Sequence, residues 1–282
     1  MSYRPAVSPP ASGPLAVLEL DVSELGSRPD ALHEIFDRGL LAVIVRNVFP
    51  GDLMAAAVDR IGRGEVSVPE VHVPVFAGPI YGRPLVTASR DLAEYLDDAA
   101  LFREGCASIF GSPSVDARIQ GVFAALSGGR PASVPCGDDG RPFTAATMRV
   151  LLEGDRLPLH TENTTFDHDV MKRLNPSLDR TTLMSYYAPM AVPGGGGELR
   201  IYDVESTGEG SGIIHRMSGE EAARAYFASR WSTVLRPGVG DMLLFDGGRH
   251  YHEVTPVVGR PRWTMGGFFA FSADHRALHF WS

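Results

Sequence analysis

The chain has 282 residues and 30.4 kDa, with 44% hydrophobic and 21% charged residues, enough length and apolar content to bury a sizeable core and to exclude whole-chain disorder. Its net charge of −8 and pI of about 5.6 oppose phosphate backbones, so nucleic acid is not expected as a partner. No apolar run reaches the roughly 18–20 residues of a membrane helix, residues 1–14 lack the basic start and apolar stretch of a signal peptide, and two cysteines, Cys106 and Cys136, cannot build a disulfide framework. Together these features predict a soluble, cytoplasmic protein. Lys172 is the single lysine, which leaves little scope for Schiff-base chemistry.

Residues 1–14, with four prolines and three serines, read as a flexible lead-in. Residues 39–49 (GLLAVIVRNVF) form a β-branched apolar run stopped by Pro50-Gly51, which predicts a buried strand and a turn. Residues 52–63 have an acidic start and a basic end, as a helix would. Residues 69–84 (PEVHVPVFAGPIYGRP) hold too many prolines for a regular element and predict a long, lid-like loop. Residues 90–110 and 114–126 carry apolar side chains at helical spacing, split by Gly111-Ser112-Pro113. Beyond Gly140 the texture changes to short apolar or alternating runs at 147–152, 182–187, 199–204, 233–235, 242–245 and 263–271, interrupted by a helix at 219–230. Many short strands predict a β sandwich or barrel supported by helices.

The most informative stretch is Leu157-Pro158-Leu159-His160-Thr161-Glu162-Asn163. On a strand, positions i and i+2 share a face, so His160 and Glu162 can offer an imidazole and a carboxylate to one ion. A third ligand is available in His250-Tyr251-His252; two histidines and a carboxylate make the facial triad of non-haem Fe(II) oxygenases. Taken alone, the triplet also suits an ordinary surface strand. Pro261-Arg262-Trp263-Thr264 adds weight, because Arg262 and Thr264 again share a face and pair a guanidinium fork with a hydroxyl. Such a pair would clamp the far carboxylate of a dicarboxylic acid such as 2-oxoglutarate. A surface arginine beside Arg260 is the plainer alternative, although the surrounding strand is apolar.

With Gly196-Gly197-Glu198-Leu199 and Gly240–Phe245 between the ligands, the C-terminal half resembles the iron(II)/2-oxoglutarate-dependent oxygenases. More narrowly, the chain resembles the carrier-independent aliphatic halogenases of hapalindole and welwitindolinone alkaloid biosynthesis and their hydroxylase relatives. The matching stretches include Ile80-Tyr81-Gly82, Leu101-Phe102-Arg103, Phe110-Gly111-Ser112-Pro113, residues 146–154, 195–202, 240–254 and 264–272, and Trp281-Ser282. The resemblance implies a mainly β fold with α support: a double-stranded β-helix (jelly-roll, cupin-like) core flanked by helices. It implies a single domain with a lead-in at 1–14, helical support and lid loop at about 15–140, and the jelly roll at about 141–282. Fe(II), 2-oxoglutarate and O₂ are the implied cofactor and co-substrates. Relatives carry Tyr-Tyr-His where this chain has His250-Tyr251-His252, which selects His252 as the ligand.

One departure bears on the chemistry. The halogenases have Gly at the carboxylate position and bind chloride in the space it leaves, whereas this chain has Glu162. A bound carboxylate blocks that space and repels a halide, so hydroxylation of an unactivated C–H bond is expected, with halogenation, desaturation or cyclisation as alternatives. The resemblance further implies that Arg149 approaches the metal-bound end of 2-oxoglutarate and that Ser185 lies near the reacting oxygen. A structural salt bridge and a backbone-satisfied strand serine are the respective alternatives. Substrate contacts are expected from Val75, Phe76, Ala77, Gly78, Ile80 and Arg83 in the proline-rich loop and from Asn163, Thr164 and Phe166 after the first ligands. Arg83 and the polar residues there suggest a polar substrate, with a solvent-facing arginine as the alternative, and the resemblance implies a small molecule of specialised metabolism. Asp167, His168 and Asp169 are a weaker second metal candidate. Rival readings are a cupin enzyme that works without 2-oxoglutarate and a non-catalytic metal-binding module.

Overall fold

The computed structural model describes residues 16–88, 92–163, 171, 174, 178–207 and 220–282. In chain order the first elements are β1 (Ala16–Asp21), α1 (Ala31–Phe36), β2 (Leu40–Arg46), α2 (Gly51–Gly62), β3 (Glu70–Val71) and β4 (Ile80–Tyr81). Two helices follow, α3 (Ala93–Phe110) and α4 (Val115–Leu126), then β5 (Ala132–Ser133), β6 (Thr147–Leu151), β7 (Leu157–His160) and β8 (Met184–Ala191). Next come β9 (Gly195–Gly196), β10 (Leu199–Glu205), α5 (Glu220–Ala228), β11 (Ser232–Leu235) and β12 (Met242–Phe245). The chain closes with β13 (His250–Val254), β14 (Val257–Val258), β15 (Arg262–Phe271) and β16 (Leu278–Trp281).

The larger sheet runs β1-β2-β12-β8-β15-β6-β4-β3, with β16 also on β15 and β5 on β16; the smaller runs β11-β10-β13-β7. These are the two faces of the jelly roll. Side-chain alternation along each strand of the larger sheet assigns its two surfaces. Met148 and Val150, Met184 and Tyr186, Met242 and Leu244, and Trp263 and Met265 point outward and join one core with α2, α3 and α4. The opposite parity points inward: Leu151, Leu243 and Phe245 meet Leu199, Ile201 and Val254 of the smaller sheet. Arg149, Ser185, Tyr187, Arg262 and Thr264 have that same inward parity. The interior is therefore greasy at one end and polar at the other.

The helices hold this sheet from behind. Ser114 caps α4 by accepting a hydrogen bond from the Ala117 amide at 3.2 Å. From α4, Phe123 reaches the sheet, its ring 4.7 Å from Phe269 and 5.2 Å from both Tyr186 and Phe280.

The expected strand-rich C-terminal half, the helices near 52–63, 90–110, 114–126 and 219–230 and the strand within 39–49 are all present, with ends shifted by one to three residues. The N-terminal segment also supplies strands: β2 pairs with β12 in the larger sheet, and β1 pairs parallel to β2 at its edge. The loop at 69–84 is likewise bracketed by two short strands, of which β4 pairs with β6 and sets Ile80 opposite Arg149.

Phe123 is fully buried, and Phe123→Ala is expected to cost about 3–5 kcal/mol of stability as transfer and cavity terms add. Urea unfolding followed by circular dichroism would read this as a lower midpoint with an unchanged slope.

Candidate metal centre

β7 and β13 are antiparallel neighbours in the smaller sheet, and their register sets His160 opposite His252. The imidazole centroids lie 4.3 Å apart. Just past β7, the Glu162 amide donates to the Gly247 carbonyl at 2.9 Å, which folds the carboxylate back over both histidines. Glu162 Oε1 is 3.4 Å from His160 Nε2 and 3.8 Å from His252 Nε2. One donor atom from each residue thus lies within 4.8 Å of the other two, the only such trio among the described residues. Bonds of roughly 2.1 Å to a common ion would place adjacent ligand atoms about 3 Å apart, so small adjustments close the set on a metal.

The backbone selects the tautomer. His160 Nδ1 lies 2.6 Å from the Pro158 carbonyl, and His252 Nδ1 lies 2.9 Å from the His250 carbonyl. Each Nδ1–H donates there, leaving both Nε2 atoms turned toward Glu162: protonated they donate to its carboxylate, and deprotonated they offer lone pairs to a metal. β7 is the outer strand of its sheet, which explains how it tolerates Pro158. Burial alone would raise the Glu162 carboxyl, but hydrogen bonds and charge from His160 and His252 outweigh it and hold the group well below the usual carboxylate range. His160 is also lowered by burial and raised by Glu162, with a net upward shift; His252 is lowered, chiefly by burial and then by His160. An ionised carboxylate between two imidazoles fits a cation, so these residues suit Fe(II).

His250 has the parity of His252 but a separate environment. It is buried, its Nδ1 has no hydrogen-bond partner, and burial pushes it down to about 4. It stands outside the trio.

The larger sheet faces this centre with polar groups. β15 pairs with β6 so that Thr264 lies opposite Arg149 and Arg262 opposite Leu151. Arg262 and Thr264 are buried at 6% and 5% exposure, and no carboxylate pairs with Arg262 among the described residues. Its guanidinium carbon sits 5.1 Å from the Tyr187 ring centroid, and burial lowers its pKa against an opposing contribution from Tyr187. Arg149 lies 5.6 Å over the Phe76 ring, and its Nε has no partner among the described residues; burial lowers it, Glu162 raises it and Arg262 lowers it further. The salt-bridge alternative for Arg149 has no direct ion pair among the described residues. Ser185 is buried, its Oγ has no partner among the described residues, and a Cβ on Gly247 would lie only 2.3 Å from it. Only glycine lets the ligand turn close over that hydroxyl.

The expected substrate wall is placed unevenly. Asp155, in the turn before β7, accepts the Ala77 amide at 2.9 Å, the Gly78 amide at 3.2 Å and the Leu152 amide at 2.8 Å. It thereby pins the Val75–Gly78 stretch with Phe76 over Arg149. Ile80 is buried on Arg149's face, whereas Val75 is exposed. Arg83, expected at the substrate wall, has its guanidinium paired with Glu94 at 2.7 Å and Asp98 at 2.5 Å. Asn163 is exposed and accepts a hydrogen bond from Thr161. Thr164, Phe166, Asp167, His168 and Asp169 lie outside the described residues. Sequence reasoning missed Asp155, Tyr187, Gly197 and Gly247; for Tyr187 the available signal was its position two residues after Ser185, on the same face.

The family profile described as "Carrier-protein-independent halogenase WelO5" matches residues 14–282. The chain belongs to this family. A search of curated proteins finds no match. Among solved structures, the fold is similar to a novel N-substituted L-amino acid dioxygenase from Burkholderia ambifaria AMMD, with 15% identity over 89% of this chain and 90% of that one and a TM-score of 0.57. The same dioxygenase in complex with alpha-KG gives 15% identity over the same shares and a TM-score of 0.51. A 2OG-Fe(II) oxygenase family oxidoreductase from Burkholderia pseudomallei gives 14% identity over 94% of this chain and 100% of that one, with a TM-score of 0.50. At these identities the likeness concerns the jelly-roll fold. With the family and the donor trio together, the protein is an Fe(II)/2-oxoglutarate oxygenase, and Fe(II) and 2-oxoglutarate are its cofactor and co-substrate.

Because His250 stands outside the donor trio, His250→Ala is expected to retain iron near one equivalent, whereas His252→Ala loses it. Metal analysis after anaerobic loading and desalting distinguishes the two; equal loss in both would mean that the ligand strand had collapsed.

Proposed function

We propose that the protein hydroxylates an unactivated C–H bond of a small molecule in specialised metabolism, with 2-oxoglutarate converted to succinate and CO₂. The observation that carries this reading is Glu162, whose Oε1 fills the third corner beside His160 and His252. In the halogenases that the sequence resembles, glycine leaves this corner to chloride. Here a carboxylate occupies the corner and is held ionised, which disfavours a halide both sterically and by charge.

The roles follow from placement. His160, Glu162 and His252 would hold Fe(II), which when bound supplies oxygen activation coupled to decarboxylation of 2-oxoglutarate. Arg262 and Thr264, inward-facing and buried, hold the far carboxylate; for Arg262 this supplies the anion that a buried guanidinium requires. Arg149 faces the chelating end, where its partnerless Nε can donate. Ser185 presents its hydroxyl beside the ligand turn and orients the reacting oxygen. Phe76, Ala77, Gly78 and Ile80 form the substrate wall on the Arg149 side. The protein's own contribution is to orient these groups and keep water from the reacting centre.

Halogenation is the second reading, favoured by the family match over residues 14–282. It requires Glu162 to leave the metal when chloride binds.

Anaerobic addition of Fe(II) and 2-oxoglutarate to metal-free protein is expected to produce a visible charge-transfer band that needs both additions. Amino-acid derivatives, including N-substituted ones, alkaloids and nucleosides can then be screened for stimulated succinate release. The turned-over product is expected to gain oxygen whether or not chloride is present; a chlorinated product would move the assignment to halogenase. Arg262→Ala is expected to raise the 2-oxoglutarate requirement at least about 30-fold, since truncating one partner of a buried charge pair costs about 2 kcal/mol or more. Glu162→Ala is expected to weaken iron retention more than about tenfold, because even the outer partners of metal ligands are worth about 10–100-fold.

A further inference from the structure

Arg262 has an uncommon setting for a buried guanidinium, enclosed on two sides by parts of the chain distant in sequence. On one side lies the Tyr187 ring, 5.1 Å from the guanidinium carbon, with its hydroxyl close enough to feel the guanidinium's charge. Tyr187 can lean there because β15 carries Gly266 opposite it; a Cβ on Gly266 would lie 2.7 Å from the Tyr187 Cβ. On the other side lies Gly197, buried in the turn before β10. A Cβ on Gly197 would sit 2.9 Å from Arg262 Cδ, 2.9 Å from Pro193 Cγ and 3.4 Å from Val257 Cγ2. Its φ of +68° is also one that side-chain-bearing residues rarely adopt. The Gly197 amide is tied to the Thr255 and Pro256 carbonyls, both at 3.2 Å, so the turn cannot simply back away from the arginine stem.

We propose that Gly197 and Tyr187 are positioning residues for the co-substrate: together they form a slot that fixes the Arg262 side chain so that its fork meets the far carboxylate of 2-oxoglutarate. The proposal rests on the reading of Arg262 as the carboxylate clamp. The slot acts through shape. A long, flexible side chain confined between a ring and a backbone turn arrives already ordered, so less freedom is lost when the carboxylate docks. Tyr187 adds a flat face that the planar guanidinium can stack on and a hydroxyl dipole on which the guanidinium's charge acts, leaving the fork edge for the ligand. A methyl group at Gly197 would push the stem toward Tyr187 and turn the fork off line, and a displacement of a few tenths of an ångström matters at a bidentate contact.

The test is a binding titration in Fe(II)-loaded protein without oxygen, reading the charge-transfer band for two 2-oxo acids. 2-Oxoglutarate has the far carboxylate and 2-oxobutanoate lacks it, while both present the same chelating end. Gly197→Ala is expected to raise the Kd for 2-oxoglutarate roughly tenfold and to leave that for 2-oxobutanoate and the iron content unchanged. Gly154→Ala is the control for backbone strain, because Gly154 has φ +85° but no atom within 4 Å of an added Cβ; it should bind both acids as wild type does. Tyr187→Phe and Tyr187→Leu, which remove the hydroxyl and the ring in turn, should show stepwise, 2-oxoglutarate-specific losses, and they carry the test if Gly197→Ala does not fold. Wild-type affinity in both the Gly197 and Tyr187 variants, or equal losses for the two acids, overturns the slot. So does a Gly154→Ala variant that copies the Gly197→Ala loss. Arg262→Ala in the same series separates the levels: if it loses 2-oxoglutarate while the slot variants do not, the clamp stands and the slot falls. If Arg262→Ala also binds as wild type, the clamp reading fails and the slot fails with it.

Discussion

The antiparallel pairing of β7 with β13 puts His160 opposite His252, and the interior chemistry is arranged around that match. A slip of one residue would turn one imidazole out of the barrel, because neighbouring side chains on a strand face opposite ways. The pairing is short and lies at the sheet edge, so other contacts reinforce it. Each imidazole is tied through Nδ1 to a carbonyl two residues earlier, and the Glu162 amide is tied to Gly247. These bonds are local, independent of any ligand, and fix both the direction and the tautomer of the donor set before an ion arrives.

The larger sheet is organised by a different constraint, the sorting of its side chains by parity. One surface is continuous with the helices and consistently apolar; the other changes from apolar to cationic along its length. Among the described residues, two arginines of that inward surface, Arg149 and Arg262, lie across from one ionised carboxylate, Glu162, at the end of β7. Excess positive charge in such a place destabilises the empty protein and favours binding of a dianion. In the proposed roles, the same residues that weaken the fold supply affinity for the co-substrate.

Much of this was legible in the sequence because it depends on short-range periodicity. His160 and Glu162 are two apart, as are Arg262 and Thr264, and the two-residue repeat of a strand suffices to put each pair on one face. What could not be read was whatever depends on register between distant strands. The apolar run of β2 announced a buried strand but not its place beside β12. Arg83 looked available because Glu94 and Asp98, which occupy it, lie on a helix whose approach to the loop is a tertiary fact. Tyr187, Gly197 and Arg262 come from three separate segments, and no spacing rule joins them. The half-exposed β1, alternating and short, carried too weak a pattern to register against the loop composition around it.

The Asp155 carboxylate gathers amides from both the Ala77-Gly78 backbone and the turn that leads into β7. The wall that carries Phe76 and the strand that carries His160 are consequently fastened to one anchor. If the proposed roles hold, a bulky guest that shoved the Phe76 wall aside would tug on His160 as well, so tolerance for new substrates would be mechanically linked to keeping iron.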